Sequence, residues 1–157
     1  MTLSSVGTTF AVTLFAALIL QLIPLPENFI YWRPDFLLLV TVGWIIFSSD
    51  SLGIVFAGLM GLLADFIFGS PIGLHMLLFA MVGAIPLFLS GWLTYFTLAH
   101  RCGFIFCLVV FYQLMSNIFF SLWALPVNYE YILVVALISS LIWPLLDRLL
   151  SAVNYKY

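Results

Sequence analysis

The chain is predicted to be an all-α polytopic membrane protein with six transmembrane helices, and three observations predict it. Only four Lys or Arg and six Asp or Glu occur among its 157 residues. Of the whole chain 66% is apolar, and mean hydropathy is +1.28. The apolar residues also fall into runs near the roughly 20-residue length that a helix needs to cross a bilayer. A water-soluble domain with so little charge would expose contiguous apolar surface and aggregate. Lipid is therefore the expected solvent, and every charge left inside it requires a partner or a role.

The runs are placed at about 8–24, 34–49, 51–69, 73–98, 101–124 and 131–151, within one membrane domain covering 1–157. The first has no basic segment before it and is closed by Pro24-Leu25-Pro26, so it reads as a retained span and not as a signal peptide. The second opens on Arg33-Pro34-Asp35. Pro34 suits the first helical position, where a missing N–H costs nothing, and Asp35 suits the first turn, where the helix dipole favours negative charge. A tight turn, Ser48-Ser49-Asp50-Ser51, leads to the third run.

In that third run Gly53, Ala57, Gly61 and Asp65 recur every four residues, with Gly58 on the adjoining edge. On a helix this is a stripe of small residues ending in one carboxylate. Small residues let another membrane helix approach closely, so Asp65 is expected to face a packed neighbour. It serves there either as a structural counter-charge or as part of a ligand or partner site. Gly69-Ser70-Pro71-Ile72-Gly73 follows as a tight turn whose glycines permit the backbone angles required.

The fourth run is long and holds Pro86, which predicts a kink or tilt. The fifth carries Gln113, Ser116 and Asn117 on one face, a set suited to interhelical hydrogen bonds. The sixth holds Pro144 and ends in Asp147-Arg148, read as an interfacial pair, while His100-Arg101 reads as an anchor before the fifth. The positive-inside rule puts Arg101, Arg148 and Lys156 in the cytoplasm and Arg33 outside, so both termini are expected to be cytoplasmic. Trp32, Trp123, Tyr129 and Tyr131 then fall near the outer interface, and Tyr95, Tyr155 and Tyr157 near the inner one. Arg33 and Asp65, both near outer helix ends, are expected to pair across the hairpin of the second and third spans.

Several function classes are excluded. A net charge of −2 supplies no basic patch for nucleic acid. Cys102 and Cys107 do not share a helix face, so neither a disulfide nor a metal pair is expected. His75 has no second His or Cys at ligand spacing. Hydrolase elbows, phosphate loops, His-Glu metal helices and paired-carboxylate motifs are missing. No enzyme activity and no cofactor are expected.

Four segments in order, LQLIPLP, WRPDFLLL, GLLADFIFGSPIG and LIWPLLDRLL, resemble the MreD family of rod shape-determining membrane proteins, in its proteobacterial form. The resemblance covers most of the chain, and Asp65, Gly69 and Gly73 with the upstream Arg-Pro-Asp are its specific part. It implies a non-enzymatic inner-membrane subunit of the cell-elongation machinery that supports lateral peptidoglycan synthesis. Its implied partners are MreC and, through MreC, MreB filaments, RodA and the transpeptidase of RodA; homo-oligomerisation stays open. It also implies the six-helix fold of the substrate-binding subunits of energy-coupling-factor transporters. Arg33, Asp35, Gly61, Asp65, Gly69 and Gly73 are the expected partner-binding or structural-core residues. The alternative is a solute-binding subunit of such a transporter. Against it, the first span lacks the Ala-x-x-x-Ala motif those subunits use, and the outer loops are short for a ligand lid.

Overall fold

The computed structural model describes residues 3–24, 26, 32–47, 53–93, 95–127 and 129–154. Among the described residues the regular structure is helical throughout: α1 (Leu3–Leu22), α2 (Phe36–Phe47), α3 (Ile54–Phe68), α4 (Leu74–Phe88), the short α5 (Ser90–Leu93), α6 (Leu98–Leu122) and α7 (Ile132–Asn154). A 3-10 turn, Tyr129–Tyr131, leads into α7. Two helical stretches, Leu98–Leu122 and Tyr129–Ser151, are long and apolar enough to cross a membrane by length and composition.

α2 is the centre of the bundle. Its sequence, FLLLVTVGWIIF, has no polar face, and every residue from Leu37 to Ile45 is buried. It packs against α1, α3, α4 and α7. Thr41 is accommodated by donating its hydroxyl to the Leu37 carbonyl at 2.7 Å, so no polar atom is stranded. Gly43 admits α7: a Cβ there would lie 2.5 Å from Leu150 Cδ1. On the α1 side, Trp44 donates its ring N–H to Thr13 Oγ1 at 3.0 Å and meets Phe10 edge-on at 5.4 Å.

α3 and α4 form a close hairpin. A Cβ on Gly61 would stand 2.2 Å from the His75 carbonyl oxygen, so the backbones touch where the small-residue stripe predicts. Further along, a Cβ on Gly83 would meet Ala57 Cβ at 2.6 Å. The stripe packs from Ala57 to Asp65 only. Gly53 is the N-cap of α3 and meets nothing within 4 Å, and Gly58 looks onto Met76 at an ordinary 3.8 Å.

Three expectations need correction. The run 73–98 is not one long helix: α4 ends at Phe88 and α5 follows. Pro86 sits in its last turn, where a missing N–H and the ring's bulk disfavour continuation. α2 begins at Phe36, two residues beyond Pro34, with the Asp35 carbonyl accepting the Leu39 N–H at 3.0 Å. Asp147 pairs with Arg101 of α6 at 2.9 Å and not with Arg148. Sequence neighbours on a helix point about 100° apart, and Arg148 is exposed. Arg101 also lies over the Phe47 ring at 5.6 Å, tying α6 to the end of α2. Cys102 and Cys107 are free thiols. The turn 48–51, Lys156, Tyr155 and Tyr157 lie outside the described residues.

Candidate functional site: the polar end of the bundle

The α3–α4 turn is built around Asp65, which is 1% exposed. Its Oδ1 accepts the Ser70 hydroxyl at 2.8 Å and the His75 backbone N–H at 2.9 Å. Its Oδ2 accepts the backbone N–H groups of Gly73 at 2.8 Å and Met76 at 3.3 Å. The first N–H groups of a helix have no partner within it. Here the carboxylate of the preceding helix supplies one, placing a negative charge at the positive end of the α4 dipole. The turn that brings α4 back onto Asp65 needs two left-handed residues. Gly69 has φ +62° and Gly73 φ +99°, and a Cβ at either would touch nothing. Their requirement is conformational and not steric.

His75 completes the cluster. Its Nδ1 lies 3.0 Å from Asp65 Oδ1 and 2.9 Å from Ser70 Oγ. Phe68, Phe120 and Phe79 surround the ring at centroid distances of 5.2, 5.9 and 6.4 Å. Ser, His and Asp therefore meet, but not as a nucleophile triad. Both oxygens address one ring nitrogen, whereas activation of a serine needs the carboxylate on one nitrogen and the hydroxyl on the other. The geometry caps a helix.

Arg33 does not pair with Asp65, contrary to the expectation. Its guanidinium donates through Nη1 to the Gln21 carbonyl and through Nη2 to the Ile23 carbonyl. These carbonyls end α1, where the dipole is negative and the acceptors lack helical donors. Asp65 is already saturated by α4. The buried Gln21 returns the favour across the connection: its Oε1 accepts the Phe36 N–H at 3.0 Å, capping α2. Asp35 Oδ2 accepts Gln113 Nε2 of α6 at 2.7 Å, and Asn117 Nδ2 donates to the Gln113 carbonyl at 2.9 Å. Of the polar face expected to link helices, Gln113 joins α6 to the residue before α2, whereas the bond of Asn117 to Gln113 stays within α6.

These groups surround a cavity of about 440 Å³. Of the expected site residues, Arg33, Asp35 and Gly69 line it. Asp65 and Gly73 lie behind its wall through His75 and Ser70, and Gly61 supports that wall by contact with the His75 backbone. Gln21 and Tyr112 also line the cavity and were not singled out by sequence reasoning. Gln21, an amide in an otherwise apolar run, was a visible signal; Tyr112 carried none.

Among the described residues, helices with an apolar exterior, capped and cross-linked by a few polar side chains, are the build of an all-α membrane protein. The chain matches the family of the rod shape-determining protein MreD over residues 3–153, nearly its whole length, and belongs to that family. It is accordingly a rod shape-determining membrane protein, a structural component of the Mre rod-shape machinery. No solved structure matches the chain.

Proposed function

We propose that the chain is a multi-pass inner-membrane subunit of the cell-elongation complex, with both termini in the cytoplasm, that docks an MreC-like bitopic protein at its outer end. Through that contact it supports RodA, its transpeptidase partner and the MreB filament in lateral peptidoglycan synthesis, acting as a scaffold and not as a catalyst. The observation that supports this reading is the convergence of capped ends of α1, α2, α3 and α4 with the polar face of α6 around one cavity. A surface preset by such bonds loses little freedom on docking. Arg33 is the one Arg or Lys at that end among the described residues, while Arg101 and Arg148 mark the other, which supports the orientation.

Arg33, Asp35, Gly69 and Gly73 are assigned to the docking surface, and Gly61 and Asp65 to the packing beneath it. Co-expression with the MreC-like protein of the same bacterium and capture in mild detergent tests this. Capture should be lost in Gly69→Val at unchanged protein level; normal capture by that variant would overturn the assignment. The cavity also favours a second reading, a solute-binding subunit of a transporter. Failure of capture together with a stoichiometric small molecule in the purified protein would select it.

A further inference from the structure

The cavity at the outer end is lined by polar groups from α6 and from the connection between α1 and α2. Tyr112 and Ser116, one turn apart on α6, line it while being only 3% and 6% exposed. Neither hydroxyl is among the buried side-chain atoms left without a partner, and both residues border the cavity. A hydroxyl at a cavity wall can donate to or accept from a group bound there. Arg33 and Asp35 add one cation and one anion to the same lining. The carbonyls of Gln21 and Ile23 occupy only part of the guanidinium, and Nε has no partner.

A second depression, of about 370 Å³, runs between α1, α2 and α7 with Leu20, Phe36 and Ile138 on its walls and Trp32 beside them. Its lining is almost wholly apolar. Among the described residues, Arg33 is the one that both spaces share. One molecule that filled both would have a polar head, a hydrocarbon tail, and a junction at a guanidinium. An anionic group suits that junction. Asp35 in the head cavity favours a positive group beyond it and opposes a second negative one.

We propose that Arg33, Asp35, Tyr112 and Ser116 bind the head of one zwitterionic phospholipid of the phosphoethanolamine type, with its phosphate on Arg33 and an acyl chain in the groove of Leu20, Phe36 and Ile138. This goes beyond partner docking and does not rest on it, because lipid is read without the partner present.

The test is native mass spectrometry of the full chain taken from micelles holding equal phosphatidylethanolamine and phosphatidylglycerol. A single phosphatidylethanolamine adduct is expected, favoured over phosphatidylglycerol by about tenfold, the weight of one hydrogen bond to a charged group. Arg33→Gln also uncaps α1, so the double variant Tyr112→Phe/Ser116→Ala carries the test: it keeps the ring edge-on to Phe79 and should lower the adduct about tenfold. Ile138→Trp, which fills the groove, should lower it likewise. No adduct, equal binding of the two lipids, or an adduct indifferent to these variants would overturn the site, as expected of a cavity that receives a protein segment. Equal competition by soluble glycerophosphoethanolamine would remove the acyl groove from the proposal.

Discussion

Asp65 Oδ1 stands 3.0 Å from Nδ1 of His75, and through this contact the last turn of α3 is fastened to the first turn of α4. The same carboxylate holds backbone N–H groups of Gly73, His75 and Met76. One side chain thus serves as helix cap, turn closure and histidine anchor.

Asp65→Ala should lower stability by about 2–4 kcal/mol, since it strands several buried donors at once. Asp65→Asn keeps one acceptor oxygen and should fall between. Thermal unfolding in detergent should give midpoints in the order wild type, Asn, Ala. Equal midpoints for Asn and Ala would mean that hydrogen-bond acceptance is not what the residue supplies.

Gly58 and Gly61, neighbours in one stripe, should respond oppositely to alanine. At Gly58 the new methyl meets Met76 at 3.8 Å, and helix propensity favours Ala by about 1 kcal/mol. At Gly61 it meets the His75 carbonyl at 2.2 Å, a backbone atom that cannot step aside. Gly58→Ala should match or exceed wild-type accumulation, and Gly61→Ala should fall well below it. Comparable levels for the two would contradict the hairpin packing.

Gly69 should tolerate Asn better than Val. Its φ of +62° and ψ of +27° lie in the left-handed region that Asn visits and a β-branched residue avoids. The penalty for Val should be about 1–2 kcal/mol, read as a lower melting midpoint, with Asn losing about half or less. Were Val harmless, the turn would not need its present backbone.

Charge swaps separate the two arginines. Exchanging Arg101 and Asp147 should restore stability lost in either single alanine change, with a coupling of about 1 kcal/mol in a double-mutant cycle. Exchanging Arg33 and Asp65 should restore nothing, because their partners are α1 carbonyls and α4 amides and not each other. Rescue in that second pair would mean that Arg33 and Asp65 do pair across the hairpin.

What the sequence made legible was local periodicity. Spacing of four placed Ala57, Gly61 and Asp65 on one packed face, and the polar face of Gln113 and Asn117 was visible for the same reason. Contacts between distant segments were not. Gln21 caps a helix that starts 15 residues later, and Arg33 reaches back to the end of α1. Both depend on where two helix ends come to rest, which hydropathy does not encode. Charge alone suggested Arg33 with Asp65 and Asp147 with Arg148. Unsatisfied backbone groups at helix ends claimed two of those side chains, and helix rotation turned the other pair apart. The end of α4 was missed because apolar residues continue past Phe88 and mask the break after Pro86.

The enclosure of α2 sets a constraint on synthesis. Gly43 receives Leu150 and Trp143, so the middle of an early helix is sealed by one made much later. Until α7 leaves the ribosome and is inserted, that flank of α2 has only lipid or chaperone against it. Biogenesis therefore includes a late closing step: chains truncated before α7 should be recognised as unfinished and cleared by membrane proteases, however completely the α3–α4 hairpin has formed.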